Sequence, residues 1–415
     1  MTGGHAPRAV RVRGLLLAVA AVAAVALLAG APAAATAATA GATTTATSGT
    51  HELDGDTVPV VRHLGPTSFT NPGPFGVGET TLTLPTDGAP VEVWYPATKA
   101  AVAGGTEATY DVSAWLPSSL QKLIPAGFSV TYPSGGVRDV AVAPGRYPLV
   151  VFSHGYAGFR DQSTFLTSFL ASWGFVVAAP DHYSRDLTEV LGGPTGATAK
   201  TTDVQDLEAT IALMDHQNAT TASPFDGHID TKKVGAVGHS AGGVAVEALA
   251  AADPKVATFI GLAGATVGLP GDAKKGPDSI VPHQPGLLMS GTADTVVPTS
   301  GMITAYGKMH APKRLILIKG AGHLVFADIC EVGSGQGGLL AIANALKVPI
   351  PASLKPLATD GCDPPDLPPT QGWPVTRQAT IAQLRHVFGF DASSVGLTGL
   401  VGAYPNVVAA DESKS

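Results

Sequence analysis

The stretch "KVGAVGHSAGGVAVEAL", Lys233 to Leu249, decides how this chain folds. A β-forming run reaches Gly-His-Ser-Ala-Gly-Gly, and a helix-forming run follows at once. A strand that turns directly into a helix forces the residue at the turn into a strained backbone conformation. Its neighbours must then be small enough to let the chains pass. Gly238 and Gly242 supply that room, and Gly238-His239-Ser240-Ala241-Gly242 fits the Gly-x-Ser-x-Gly pattern in the strand–turn–helix context it requires. Such a turn lifts the Ser240 hydroxyl above the sheet edge. It also aims the N–H of Ala241, at the helix N-terminus, toward the same point.

The flanking sequence repeats this alternation. "YPLVVFSH", Tyr147 to His154, is a continuous apolar run of the buried-strand type, and "FVVAAPD" and "ATFIGLAGA" are further strands. "PGLLMSGTAD" and "KRLILIKGAGH" complete the series. Between them lie helical patterns: "DQSTFLTSFLASWG" with Asp161 as its expected N-cap, "TTDVQDLEATIALMDHQ", and "SGMITAYGKMH". "VTRQATIAQLRHVFG" reads as a closing helix. Strands alternating with helices imply right-handed βαβ units and a mostly parallel central sheet with helices on both faces. "TTLTLP" and "VEVWYP", joined across "TDGA", predict an antiparallel hairpin at the start of the domain. The segment 97–144 breaks the pattern and is expected to be an insertion beside the site, with one short helix in "YDVSAWLPSSLQKLI".

A serine is a weak nucleophile and needs a base, which needs an orienting acid. "GLLMSGTADTVVP" places Asp294 just past one strand, and "LILIKGAGHLVF" places His323 just past the next. The order Ser240, Asp294, His323 is that of serine hydrolases on such sheets. Asp328 is the rival acid but lies beyond the histidine. Asp181 reads as structural. "VVFSHGYAGFRDQ" offers a second oxyanion donor in the Tyr156 N–H, facing that of Ala241. Gly155, Tyr156 and His239 are the expected substrate-binding residues, His239 with a structural role as well.

Taken together, "FSHG", "GHSAGG", "SGTADTVVP" and "GAGH" resemble the α/β-hydrolase superfamily from about Thr80 to Gly389. "VFSHGYAGFRDQSTFLTSFLASWGFVVAAPDH" with "GHSAGG" is similar to platelet-activating-factor acetylhydrolases and dienelactone-hydrolase-like esterases. "HGY" and "LASWGFVVAAPDH" also look like chlorophyllases and cutinase-type polyester hydrolases. Dienelactone hydrolases use a cysteine nucleophile, where this chain has Ser240. Polyester hydrolases usually carry Trp before the serine and Met after it, where this chain has His239 and Ala241. They also carry an aromatic after the next strand, where this chain reads "GLAGATVG". The resemblance implies an α/β-hydrolase fold and a serine carboxylic ester hydrolase working through an acyl-enzyme. Alternatives are a lipase or cutinase-like polyester hydrolase, an acyltransferase, a peptidase, or a non-catalytic binding protein on the same scaffold.

The chain of 415 residues is 45% apolar and 14% charged, enough to build one large α/β domain or two smaller ones. A net charge of −7 argues against a nucleic-acid or anionic-membrane partner. Arg8, Arg11 and Arg13 precede "GLLLAVAAVAAVALLAG" and a small-residue run, which together read as an export signal over residues 1–40. Cleavage would follow Ala33, Ala37 or Ala40. A retained anchor over Gly14–Gly30 is the other reading. A secreted chain favours a disulfide between Cys330 and Cys362, worth roughly 3–4 kcal/mol in the chain-entropy model, over two free thiols. The expected organisation is a disordered spacer at 41–60, a hydrolase domain at 61–390, and a tail at 391–415. A disulfide-held cap at 326–374 joins the insertion 97–144 near the site. No metal-ligand spacing or cofactor fingerprint is present. The expected partner is a small-molecule or lipid-like ester, with no membrane insertion after cleavage, and the chain is read as a monomer.

Overall fold

The computed structural model describes residues 50–53, 56–193, 199–265 and 281–415. The expected export signal, 1–40, lies outside the described residues. Within the expected spacer, β1 (Thr50–Leu53) and β2 (Asp56–Pro59) pair antiparallel as a small hairpin. The spacer is therefore ordered over that part. Its short polar strands carry too little apolar alternation to be recognised from sequence.

The remaining strands run β3 (Gly76–Thr83), β4 (Pro90–Ala97), β5 (Glu107–Asp111), β6 (Thr131–Arg138), β7 (Tyr147–Ser153) and β8 (Val176–Pro180). They continue as β9 (Ile229–His239), β10 (Val256–Leu262), β11 (Gly286–Gly291), β12 (Lys313–Ile318) and β13 (Val408–Lys414). Among the described residues they form one eleven-stranded sheet, ordered β13-β12-β11-β10-β9-β7-β8-β4-β3-β6-β5. From β12 to β8 every neighbouring pair is parallel. The hairpin β3–β4 then joins antiparallel to β8. This is the α/β-hydrolase architecture.

Among the described residues five longer helices flank the sheet, α1 (Thr164–Ser172), α2 (Asp203–Asn218), α3 (Ala241–Ala252), α4 (Thr299–Lys308) and α6 (Pro369–Val387), while α5 (Gly338–Ala345) lies in the cap. Successive strand residues alternate faces, so a fully buried strand feeds two cores. Leu149 and Val151 of β7 share one core with Ile211 of α2, Leu249 of α3 and Met302 of α4. Val150 and Phe152 share the other with Phe165 and Leu170 of α1 and Ile381 and Leu384 of α6. α2 starts where Thr202 and Gln205 form a reciprocal capping box.

Three expectations are corrected. The one short helix expected in "YDVSAWLPSSLQKLI" is two short helical turns, Val112–Trp115 and Ser118–Gln121, and within the insertion β5 and β6 extend the sheet. Its apolar residues Tyr110, Val112, Trp115 and Val130 gather into a third core with Val332 and Ile342 of the cap, which overrides the local helical spacing. Asp161 does not cap α1. The Asp328 carboxylate, far along the chain, accepts from the Thr164 and Phe165 N–H groups instead. The segment 391–415 is not a bare tail, because β13 closes the sheet edge against β12. A polar edge strand is held by backbone pairing, which leaves little apolar trace in the sequence.

Register places the site. Ser153 pairs with Gly238, His239 with Leu262, Leu262 with Met289, and Gly291 with Ile318. The C-terminal ends of five parallel strands thus come level at one sheet edge. Among the described residues no helix is long and apolar enough to cross a membrane.

Candidate active site

Ser240 sits between β9 and α3 with φ +56° and ψ −120°. A non-glycine residue holds such a conformation only when its surroundings over-determine it. They do so here through backbone contact. A Cβ on Gly238 would lie 2.1 Å from the Gly242 carbonyl oxygen, and one on Gly242 would lie 2.0 Å from that of Ser153. The sequence reading of these two glycines therefore holds in structural terms. It missed Gly264, whose Cβ would lie 1.9 Å from the Ser240 carbonyl oxygen. The only signal was a glycine just past β10, which local pattern alone does not distinguish from a loop glycine. Gly264→Ala is expected to destabilise the protein by about 3 kcal/mol through overpacking. Thermal unfolding would show this as a lowered Tm together with reduced activity. A variant with the parent Tm would mean that the elbow yields easily.

Asp294 and His323 stand beyond β11 and β12. His323 Nδ1 donates to Asp294 Oδ2 at 2.9 Å, with both side chains buried. Asp294 Oδ1 accepts from the Val296 and Val297 N–H groups at 2.9 and 2.7 Å. Those bonds fix the carboxylate as an acceptor and the Nδ1 tautomer of the ring, so Nε2 carries the lone pair of the neutral imidazole. His323 and Ser240 line one cavity of about 550 Å³, with Gly155, Tyr156 and His239. Asp328 is elsewhere, buried against α1. Burial pushes its carboxyl up to about 7, against the pull of its bonds to Thr164 and Phe165.

The loop after β7 is held from both sides. Gly155 N–H donates to Gln162 Oε1 at 3.0 Å, so the Gln162 amide group donates to His239 Nδ1 at 2.9 Å. The opposite His239 nitrogen donates to the His323 carbonyl oxygen at 3.2 Å. His239 thus lines the cavity with both ring nitrogens committed, and burial, then the nearby His323, hold it neutral. On the other side, Arg185 donates to the carbonyl oxygens of His154 and Gly155 and to Ser153 Oγ. Asp203 accepts from Arg185 Nε at 2.7 Å. Ala157 N–H goes to the Arg185 carbonyl oxygen. Tyr156 is 39% exposed at the mouth, and its loop packs closely on the elbow: a Cβ on Gly155 would lie 3.3 Å from Ser240 Cβ. Gln162 and Arg185 were not legible as site residues, because each acts across the fold.

A second Ser-His-Asp chain lies beneath this loop. Ser153 Oγ and His182 Nε2 are 2.9 Å apart, and His182 Nδ1 meets Asp206 Oδ2 at 2.8 Å. All three are buried and none lines the cavity of Ser240 and His323. Burial lowers His182 to about 3, so the ring stays neutral and serves as a strut.

Among the described residues, two groups have metal-ligand composition: His182, Asp203 and Asp206, and Glu79, Glu92 and Asp161. Atoms of the first are engaged by Ser153, Arg185, Ser184 and Thr201. The second is bound by Arg138 and Arg160. Two guanidiniums face three carboxylates there, and burial, then the neighbouring Glu92, pushes Glu79 up to about 7.

The cap is closed on itself by a disulfide and tied to the site by hydrogen bonds. Cys330 and Cys362 form a disulfide. Close by, Asp360 accepts from the His323 N–H at 2.5 Å and from the Thr295 N–H at 3.1 Å. One cap carboxylate therefore braces the loops that carry both the histidine and the acid. Asp181 accepts from Trp115 and Arg160, the structural role expected of it.

A family model described as "PETase: PET hydrolase-like" matches residues 124–336, just over half of the chain. That span contains Tyr156, Ser240, Asp294 and His323. A solved ferulic acid esterase from Streptomyces cinnamoneus is similar in fold, with a TM-score of 0.52 and 21% identity. The similarity covers 81% of this chain and 96% of that one. No curated protein matches this chain.

Proposed function

Because this chain belongs to the PET hydrolase-like family, we propose that it is a secreted serine carboxylic ester hydrolase. The observation that carries this reading is the strained Ser240 in one cavity with a His323 whose tautomer Asp294 sets. In the proposed reaction, Ser240 Oγ attacks the ester carbonyl carbon as His323 Nε2 takes its proton. The carbonyl oxygen becomes an oxyanion held by the N–H groups of Tyr156 and Ala241. His323 then gives the proton to the departing alkoxide, leaving an acyl-Ser240. A water, deprotonated by His323, attacks that acyl group; the bond to Ser240 Oγ breaks, His323 returns the proton to that oxygen, and the acid leaves. Asp294 keeps Nδ1 protonated and stabilises the imidazolium at each stage.

The finer resemblance, to platelet-activating-factor acetylhydrolases and dienelactone-hydrolase-like esterases, belongs to the same proposal. So do the export signal at 1–40 and the extracellular location, which the Cys330–Cys362 disulfide supports.

A fluorophosphonate probe tests the nucleophile directly. It is expected to add one phosphonyl group to the full chain, and digestion should place the adduct on the peptide containing Ser240. Hydrolysis of p-nitrophenyl acetate should disappear in step with labelling. A labelled residue elsewhere, or full activity after labelling, would refute the assignment.

A further inference from the structure

We propose that the ester carries a linear aliphatic arm, which lies in an apolar chamber between the insertion and the disulfide-held cap. This substrate class rests on the ester-hydrolase reading above. Counted with the solvent open to it, the chamber spans about 830 Å³. Leu116 and Phe128 of the insertion face it from one side, and Ile342 and Leu346 of the cap from the other. Among the described residues that line it, Ser113 alone has a polar side chain. Val112, Ala157, Leu187 and Leu357 line both this chamber and the cavity of Ser240 and His323, so the two are neighbours sharing a wall. Ala157 follows Tyr156 directly, which brings the chamber to the edge of the proposed oxyanion site.

The lining chooses among ester chemistries. A phenol, a second carboxyl or a sugar placed there would leave its polar groups without partners, and burial of unpaired polar groups is strongly unfavourable. A methylene chain loses nothing and gains from each carbon buried. The walls of the chamber are also joined to each other and to the site. The third hydrophobic core binds insertion to cap, and the disulfide with Asp360 fixes the cap to the loop of His323.

The test uses the full chain and its Ala343→Trp variant. Ala343 is half-buried on α5, lining the chamber but not the reacting cavity. Cis-parinaric acid, a fluorescent linear fatty acid, is expected to bind the parent saturably and the variant at least about tenfold more weakly, as a filled pocket loses several buried methylenes. In parallel, p-nitrophenyl esters from acetate to palmitate report the acyl arm, and alkyl acetates from ethyl to hexadecyl report the alcohol arm. The series whose kcat/KM rises with length, and loses that rise in the variant, identifies which arm enters. Acetate turnover should be equal in both proteins, which shows that the variant is folded; circular dichroism gives the same control without catalysis. No fatty-acid binding, with flat length profiles in both series, would overturn the chamber while leaving the esterase reading intact. Binding that Ala343→Trp weakens, without hydrolysis of any ester, would uphold the chamber and sink the esterase reading.

Discussion

Ser240→Ala should lower kcat on p-nitrophenyl acetate by about 10⁴-fold or more, with the Tm close to that of the parent. Removing the nucleophile of a triad leaves only the residual catalysis of the oxyanion site and binding. The fold should tolerate the change because the serine hydroxyl does not hold the elbow. The glycines around it and the backbone contacts of Gly264 do. Alanine accepts the same φ of +56° with no more strain than serine. Steady-state kinetics and thermal unfolding on the same preparation measure both quantities. Parent-like turnover would remove Ser240 from the mechanism. Loss of both activity and folding would show that the hydroxyl has a structural role.

Asp294→Asn is expected to cost about 10³–10⁴-fold in kcat with a smaller change in KM. The oxygen that accepts the Val296 and Val297 N–H groups has an equivalent in asparagine, so the loop should keep its shape. The amide nitrogen would then face His323 Nδ1. Two donors cannot pair, so the ring adopts the other tautomer and Nε2 no longer accepts the Ser240 proton. Asp328→Asn gives the contrast. Its carboxylate holds the first turn of α1, so that variant should lower Tm and leave kcat nearly unchanged. Reversal of the two phenotypes would make Asp328 the catalytic acid and overturn the order Ser240, Asp294, His323.

The family match and the local sequence pull in different directions at the elbow. His239 and Ala241 stand where polyester hydrolases usually carry Trp and Met, yet the family model spans this region. The structure gives His239 a task of its own. Through Gln162 it links the loop of Gly155 to the backbone of His323, so three strand ends are joined beside Ser240. An apolar residue there could not make those bonds. The chain thus matches the family model while carrying a histidine with both ring nitrogens hydrogen-bonded beside the serine.

The strand–turn–helix at Ser240, the alternating strands and helices, and the order of serine, acid and histidine were all legible from the amino-acid sequence. Each is encoded over a few neighbouring residues: a glycine pair, an apolar run, a loop just past a strand. The Cys330–Cys362 pair was legible too, because its chemistry leaves few partners. What the sequence could not show depends on residues that meet only after folding. Asp328 caps a helix that begins at Thr164, and Asp360 braces His323 and Thr295. Gln162 and Arg185 clamp the loop of Gly155, and β13 completes the sheet by backbone pairing alone. A hydrogen bond between distant side chains has no periodicity, and an edge strand needs no apolar stripe. The insertion shows the same limit: only residues 110–124 carry a helical spacing, and they form short turns, while β5 and β6 on either side join the sheet by backbone pairing and Tyr110 is buried against the cap. Local pattern determined where the proposed chemistry is placed, and only tertiary packing decided what holds those residues and what lies beside them.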